Sequence, residues 1–287
     1  MKRLIFISIF FLSISTYLSC SSDQTDDGNI APINTNASYE ELNVSYGDDS
    51  DQVFDLYLPA NRTMDTKTII LVHGGGWTSG DKADMNEIKD FIKDQLPNYA
   101  VVNINYRLAD ADNPPYPMQI NDITSVVNHL KANQSDYTIS NDLGFIGTSA
   151  GAHLSLLYSY AFDSDSNVDM VASIVGPTNF TDPAYLNNTD PLLQILLSSY
   201  GIDASTSFLE EVSPYHRATL TSPPTILFYG GQDPLIPTTQ GTAMRDQLED
   251  LGVTHQFTLY PTEGHGWDGL NLLDTTIKLQ TFIETHL

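Results

Sequence analysis

Apolar residues along this chain fall into two alternating patterns. Short runs of β-branched, aliphatic and aromatic residues occur at Val53–Leu58, Thr68–Val72, Ala100–Ile104, Leu143–Ile146, Met170–Val175, Thr225–Tyr229 and Gln256–Tyr260. Runs of this length and composition predict strands, and unbroken apolar runs predict strands buried on both faces. Val44–Tyr46 pairs with Val53–Leu58 in an expected opening hairpin. Between the runs lie longer stretches with apolar residues three or four positions apart. Met118, Ile120, Ile123, Val126, Val127 and Leu130 mark one helix over Met118–Ala132. Asp84–Leu96 predicts another, stopped by Pro97, and Ala152–Ala161, Thr238–Leu251 and Leu270–His286 complete the set. Strands alternating with helices predict an α/β fold: a mostly parallel central sheet with helices on both faces. In such sheets the site is expected at the C-terminal ends of the strands.

Residues 177–223 break this rhythm. Asp182-Pro183, Asp190-Pro191, Ser213-Pro214 and Pro223-Pro224 are turn signals, no strand pattern appears, and only 192–197 reads as helical. A small cap-like insertion over the site is expected there.

The first residues read as an export signal rather than as fold. Lys2 and Arg3 precede an apolar stretch, Leu4–Leu18, that is short for a membrane span. Leu18-Ser19-Cys20 resembles a bacterial lipoprotein box, with Tyr17 where an aliphatic residue is usual. That resemblance implies cleavage of residues 1–19, lipidation of Cys20, and location at a bacterial outer membrane, periplasmic or on the surface. Residues 20–38, rich in Asp and Ser, then read as a flexible acidic leash, and 39–287 as the folded domain. Cys20 is the single cysteine, so no intrachain disulfide forms. The net charge of −24 argues against nucleic acid and anionic lipid surfaces as partners. Contact with a membrane is expected only through a lipid on Cys20. The acidic run 47–51 lacks calcium-loop spacing, and neither metal nor cofactor is expected.

Candidate chemistry centres on Gly147-Thr148-Ser149-Ala150-Gly151, directly after the Leu143–Ile146 run and before a helix pattern. A strand, a sharp turn and a helix in that order expose the Ser149 hydroxyl as a nucleophile. The pentapeptide alone arises by chance in roughly one chain in ten of this length, so its partners decide the matter. His73-Gly74-Gly75-Gly76-Trp77 follows the Thr68–Val72 run. Its unobstructed amides at Gly74 and Gly75, with that of Ala150, can form an oxyanion hole. Asp233 follows the Thr225–Tyr229 run, and His265 stands between Gly264 and Gly266 before the last helix. In the order Ser, Asp, His, they form a candidate triad in which His265 is the base and Asp233 its orienting acid. His73 is expected to fix its loop, and His153 to pack or hydrogen-bond inside the elbow helix. Trp77 and Trp267 are the expected substrate-binding aromatics.

These motifs, with Asn105-Tyr106-Arg107-Leu108, Tyr116-Pro117, Asn121-Asp122 and Ser213-Pro214, resemble the α/β-hydrolases of the carboxylesterase and hormone-sensitive-lipase-like type. The resemblance covers roughly residues 50–287 and is nearest to bacterial feruloyl and acetyl-xylan esterase-like hydrolases. It implies a serine ester hydrolase acting on small-molecule or polysaccharide esters, and a structural ion pair between Arg107 and Asp122. Thr148 and Ala152 depart from the pattern, where relatives often carry Asp or Glu and a further Gly. A prolyl-oligopeptidase-type peptidase, an arylformamidase-like amide hydrolase and a non-catalytic binding module are the alternative readings.

Overall fold

Among the described residues, eight strands form one sheet in the order β1-β2-β4-β3-β5-β6-β7-β8. They are β1 (Tyr39–Ser45), β2 (Val53–Leu58), β3 (Thr68–Val72), β4 (Ala100–Ile104), β5 (Leu143–Thr148), β6 (Val168–Ile174), β7 (Thr225–Gly230) and β8 (His255–Tyr260). β2 is antiparallel to both β1 and β4, and from β4 to β8 every pairing is parallel. The computed structural model describes residues 32–201 and 205–287. The expected signal segment, Cys20 and most of the expected leash lie outside the described residues.

Among the described residues, ten α-helices flank the sheet: α1 (Asn86–Gln95), α2 (Pro115–Ala132), α3 (Gln134–Tyr137), α4 (Ala150–Ala161), α5 (Pro183–Leu186), α6 (Pro191–Ser199), α7 (Thr206–Glu211), α8 (Pro214–Arg217), α9 (Thr238–Leu251) and α10 (Gly269–His286). Side chains alternate across each strand, and this divides the core. Ile70 and Val72 of β3 point into the larger core with α2, α4 and α9. Ile69 and Leu71 point into the second core with α1 and α10. β3 and β4 are buried at every position, and each fully buried aliphatic side chain contributes about 1.5–3 kcal/mol. The mostly parallel α/β sheet expected from the alternating pattern is present, as is the α/β-hydrolase architecture that the resemblance implies.

Boundaries differ from the sequence expectation where tertiary contacts extend or tighten an element. The compact unit starts at Ile33 rather than residue 39. Ile33 packs on the larger core, and the buried Arg62 guanidinium donates to the carbonyls of Asn34 and Ala37. A 3₁₀ turn, Lys82–Met85, takes the place of the first turn expected for α1. Asp81 caps it, accepting from Ala83 N–H while Asp84 accepts from Asp81 N–H. Within 177–223 the described residues hold the four helices α5–α8 and no strand.

Candidate active site

Ser149 joins β5 to α4 with φ 51° and ψ −118°. A side chain at positive φ costs on the order of 1–3 kcal/mol, held in place only by surrounding structure. Two glycines permit the turn. A Cβ on Gly151 would stand 2.2 Å from the Val72 carbonyl oxygen and 2.3 Å from that of His73. A Cβ on Gly147 would stand 2.3 Å from the Gly151 carbonyl oxygen. The elbow therefore packs backbone to backbone against the end of β3. Gly151→Ala is expected to cost about 3 kcal/mol by this overpacking and to displace the Ser149 hydroxyl from its place, the stability loss being read by thermal denaturation.

His265 faces Ser149 from the loop after β8. Its Nε2 lies 3.0 Å from Ser149 Oγ, and its Nδ1 lies 2.7 Å from Asp233 Oδ2. A carboxylate only accepts, so Nδ1 carries the proton and Nε2 is free to accept from the Ser149 hydroxyl. The Asp233 side chain is 1 % exposed and that of His265 is 27 % exposed. Asp233 Oδ1 accepts from the amides of Leu235 (2.8 Å) and Ile236 (3.0 Å), which aims the other oxygen at the imidazole. The two loops are stitched together by amides: Gly231 N–H donates to the Tyr260 carbonyl and Gln232 N–H to that of Glu263. The structure thus brings Ser149, His265 and Asp233 into one hydrogen-bonded line.

The glycine loop after β3 lies against the nucleophile. A Cβ built on Gly74 would be 3.2 Å from Ser149 Cβ. Gly75 has φ 111°, and its carbonyl accepts from the amides of Thr78 and Ser79, closing the turn. Ala150 opens α4, where a helix supplies no internal acceptor for its N–H. His73 is buried beneath this loop, its ring stacked 4.3 Å from Tyr106, whose hydroxyl donates to the His73 carbonyl. Its Nδ1 lies 2.6 Å from the Gly74 carbonyl. His73 is a loop-fixing residue, as its place in the sequence implied.

Trp77 corrects the sequence expectation. Its side chain is fully buried, packed against Phe180 and Tyr200, and its Nε1–H donates to His153 Nδ1 at 3.3 Å. A side chain with 0 % exposure offers no surface to a substrate. Trp77 instead anchors the glycine loop, and the backbone twist at Gly76 (φ 58°) and Trp77 (φ 65°) turns the indole inward. Trp267 is half-buried and lines a cavity that also contains His265.

The supporting contacts include one residue that sequence reasoning missed. Asp122, fully buried on α2, accepts from Arg107 Nη2 (2.6 Å), Arg107 Nε, the Arg107 amide and Gln52 Nε2. The Arg107–Asp122 pair is present. One turn earlier on α2, Gln119 Nε2 donates to the carbonyls of Trp77 (2.7 Å) and Arg107 (2.9 Å). It ties the glycine loop to the Arg107 segment. A glutamine in an amphipathic helix pattern reads as a surface residue, so no sequence signal pointed to it.

His153 is fully buried in α4, and its Nε2–H donates to the Val212 carbonyl at 2.8 Å. Burial pushes its pKa down from 6.5 to about 4. The folded state therefore keeps His153 neutral where the unfolded chain takes up a proton. Its contribution is complete above about pH 6.5 and is lost as pH falls toward 4, a loss on the order of 3 kcal/mol. His153→Gln is expected to flatten this part of the stability–pH curve, measured by chemical denaturation at several pH values.

Among the described residues, no group of three or more His, Cys, Asp or Glu side chains is arranged to hold a metal ion. No described helix is long and apolar enough to cross a membrane.

A family profile described as BD-FAE matches residues 54–248, more than half of the chain. The esterase LipC of Mycobacterium tuberculosis is 28% identical over 249 residues, an alignment covering 79% of this chain and 60% of LipC. The chain thus spans well under the whole length of that relative. Among solved structures, a truncated carbohydrate esterase from gut microbiota superposes with a TM-score of 0.72 at 21% identity, covering 88% of this chain and 98% of its own. The acetyl ester-xyloside bifunctional hydrolase of Caldicellulosiruptor lactoaceticus superposes with a TM-score of 0.66 at 18% identity, covering 81% and 88%. Both share the fold described above.

Proposed function

Since the chain belongs to the BD-FAE family, we propose that it is a serine hydrolase of carboxylic esters that removes acyl groups, acetyl or feruloyl, from carbohydrates. The observation that carries this reading is the line of hydrogen bonds from Asp233 through His265 to Ser149. In this mechanism His265 Nε2 takes the Ser149 proton as Oγ attacks the ester carbonyl carbon. The resulting oxyanion is stabilised by the amides of Gly74 or Gly75 and Ala150, and Asp233 stabilises the imidazolium. His265 then returns the proton to the leaving alcohol oxygen, the carbon–oxygen bond breaks, and an acyl-enzyme remains. Water repeats the sequence and frees the acid. The carbohydrate part of the reading draws support from relatives named as a carbohydrate esterase and an acetyl ester-xyloside hydrolase.

The test is turnover of p-nitrophenyl acetate, acetylated xylan and methyl ferulate by the purified protein. Hydrolysis of at least one carbohydrate ester is expected. Failure on all three overturns the reading, and faster cleavage of a peptide p-nitroanilide than of any ester replaces it with a peptidase.

Export and anchoring form a separate part of the proposal, resting on Lys2, Arg3, the apolar stretch 4–18 and Cys20. Cys20→Ala in the full-length chain is expected to move the protein from the membrane fraction to the soluble fraction and to abolish incorporation of labelled palmitate. Unchanged membrane association would remove Cys20 as the anchor.

A further inference from the structure

Beside the base lies a cavity of about 260 Å³. His265 and Thr148, the neighbour of Ser149, form one side of it. Trp267 forms another, and Ile88 and Phe91 of α1 close it with apolar surface. Asp84 and Glu87, both exposed, line the same cavity, the Asp84 carboxylate accepting from the Asp81 amide and Glu87 adding a second acidic side chain. Trp267 is held in place, its ring centroid 4.8 Å from that of Tyr260 and its Nε1–H donating to Thr275 Oγ1 at 2.8 Å.

The proton path says which half of an ester this cavity receives. The oxyanion faces the Gly74–Gly75 and Ala150 amides, on the side of β3 and the start of α4. The leaving oxygen must come within hydrogen-bond reach of His265 Nε2, about 2.6–3.2 Å, to collect its proton. The alcohol therefore departs on the imidazole side, where His265 and Trp267 line the wall. At 260 Å³ the cavity is smaller than the roughly 300–1,000 Å³ typical of whole-ligand pockets, so it suits one part of a substrate rather than all of it.

We propose that this cavity binds the leaving alcohol, and that Trp267 and Glu87 select a neutral, hydroxyl-bearing ring there. The proposal deepens the ester-hydrolase reading above and rests on it. An aromatic face covers the C–H face of such a ring, while carboxylates accept from its hydroxyls with charge-assisted strength. The same carboxylates repel an alcohol that carries its own carboxylate. Uronic acid esters are accordingly disfavoured.

Two ester series separate the alcohol side from the acyl side. One keeps acetyl and varies the alcohol: p-nitrophenol, methanol, xylose and glucuronic acid. The other keeps p-nitrophenol and lengthens the acyl chain from two to six carbons. Glu87→Gln and Trp267→Leu are compared with wild type, with thermal melts to verify folding. Both variants are expected to raise KM for acetylated xylose about tenfold, equivalent to about 1.4 kcal/mol. Their acyl-chain profile keeps its wild-type shape, and so does the rate at which the acetyl-enzyme hydrolyses, because the alcohol has already left. Glu87→Lys is expected to raise kcat/KM for acetylated glucuronic acid relative to acetylated xylose. Glu87 is exposed, so its variants remain informative if the Trp267 variant fails to fold. A change in acyl-chain preference with the alcohol series unaltered would assign the cavity to the acyl group and overturn the proposal, as would no change in either series. A wild-type protein inert toward every ester in both series overturns the ester-hydrolase reading itself, and this inference falls with it.

Discussion

Ser149→Ala is expected to lower kcat for p-nitrophenyl acetate by about 10⁴-fold or more while leaving the melting temperature nearly unchanged. The magnitude follows from how a triad works: its members act as one unit, and removing the nucleophile forfeits nearly all of the covalent route. What survives is the stabilisation by the oxyanion amides and by substrate binding, which an alanine does not touch. The fold is expected to tolerate the change because Ser149 Oγ makes its contact with His265, not with the core. The backbone around it is held by other groups, Ser149 N–H donating to the Ile174 carbonyl and His153 N–H to the Ser149 carbonyl. Matched melting curves and single-turnover kinetics check both halves. Wild-type activity in Ser149→Ala would remove Ser149 as the nucleophile.

Asp122→Ala is expected to produce the largest loss of stability, about 3–5 kcal/mol, the range for breaking an ion pair around a buried charge. Four groups converge on this carboxylate: Gln52 Nε2, the Arg107 amide, and Arg107 Nε and Nη2. Without it the Arg107 amide and the guanidinium face an apolar side chain. The Arg107 side chain is one-third exposed and recovers some hydration, which places the expected value toward the lower end. For a domain of this size that corresponds to a fall in melting temperature of roughly 6–12 °C. Activity is expected to fall as well, because Gln119, one turn away on α2, holds the Trp77 carbonyl and with it the glycine loop. The pair acts together, so Arg107→Ala and Asp122→Ala combined are expected to cost less than the sum of the single changes. Additive costs in that double-mutant cycle would show that the two residues act independently.

These expectations trace how much could be read along the chain. The motif at Gly147–Gly151 is legible because a strained elbow makes demands on adjacent residues: small ones at 147 and 151, a nucleophile between them. The same holds for His265 between glycines and for Asp233 after β7, since a loop at a strand end is a local address. The histidines also differ on local grounds. His153 falls inside a helix and is buried, whereas His265 lies on a loop and remains partly open.

Trp77 and Gln119 show where local reading stops. Both sit next to recognised motifs, and both were misjudged or missed because burial is a sum over distant neighbours. Trp77 is enclosed by Phe180 and Tyr200, residues of the 177–223 segment. Gln119 matters because its amide reaches two carbonyls on separate loops.

The sequence by itself determined the class of fold, the strand-end positions of Ser149, Asp233 and His265, and the glycine loop beside them. Each depends on backbone geometry within a few residues or on the periodicity of apolar side chains. Only the tertiary structure decided that Trp77 is an internal anchor, that Gln119 ties the glycine loop to the Arg107 segment, and that a cavity opens beside His265 between α1 and α10. Those properties arise where segments far apart in the chain meet, and the shape and burial of a meeting place belong to no single segment.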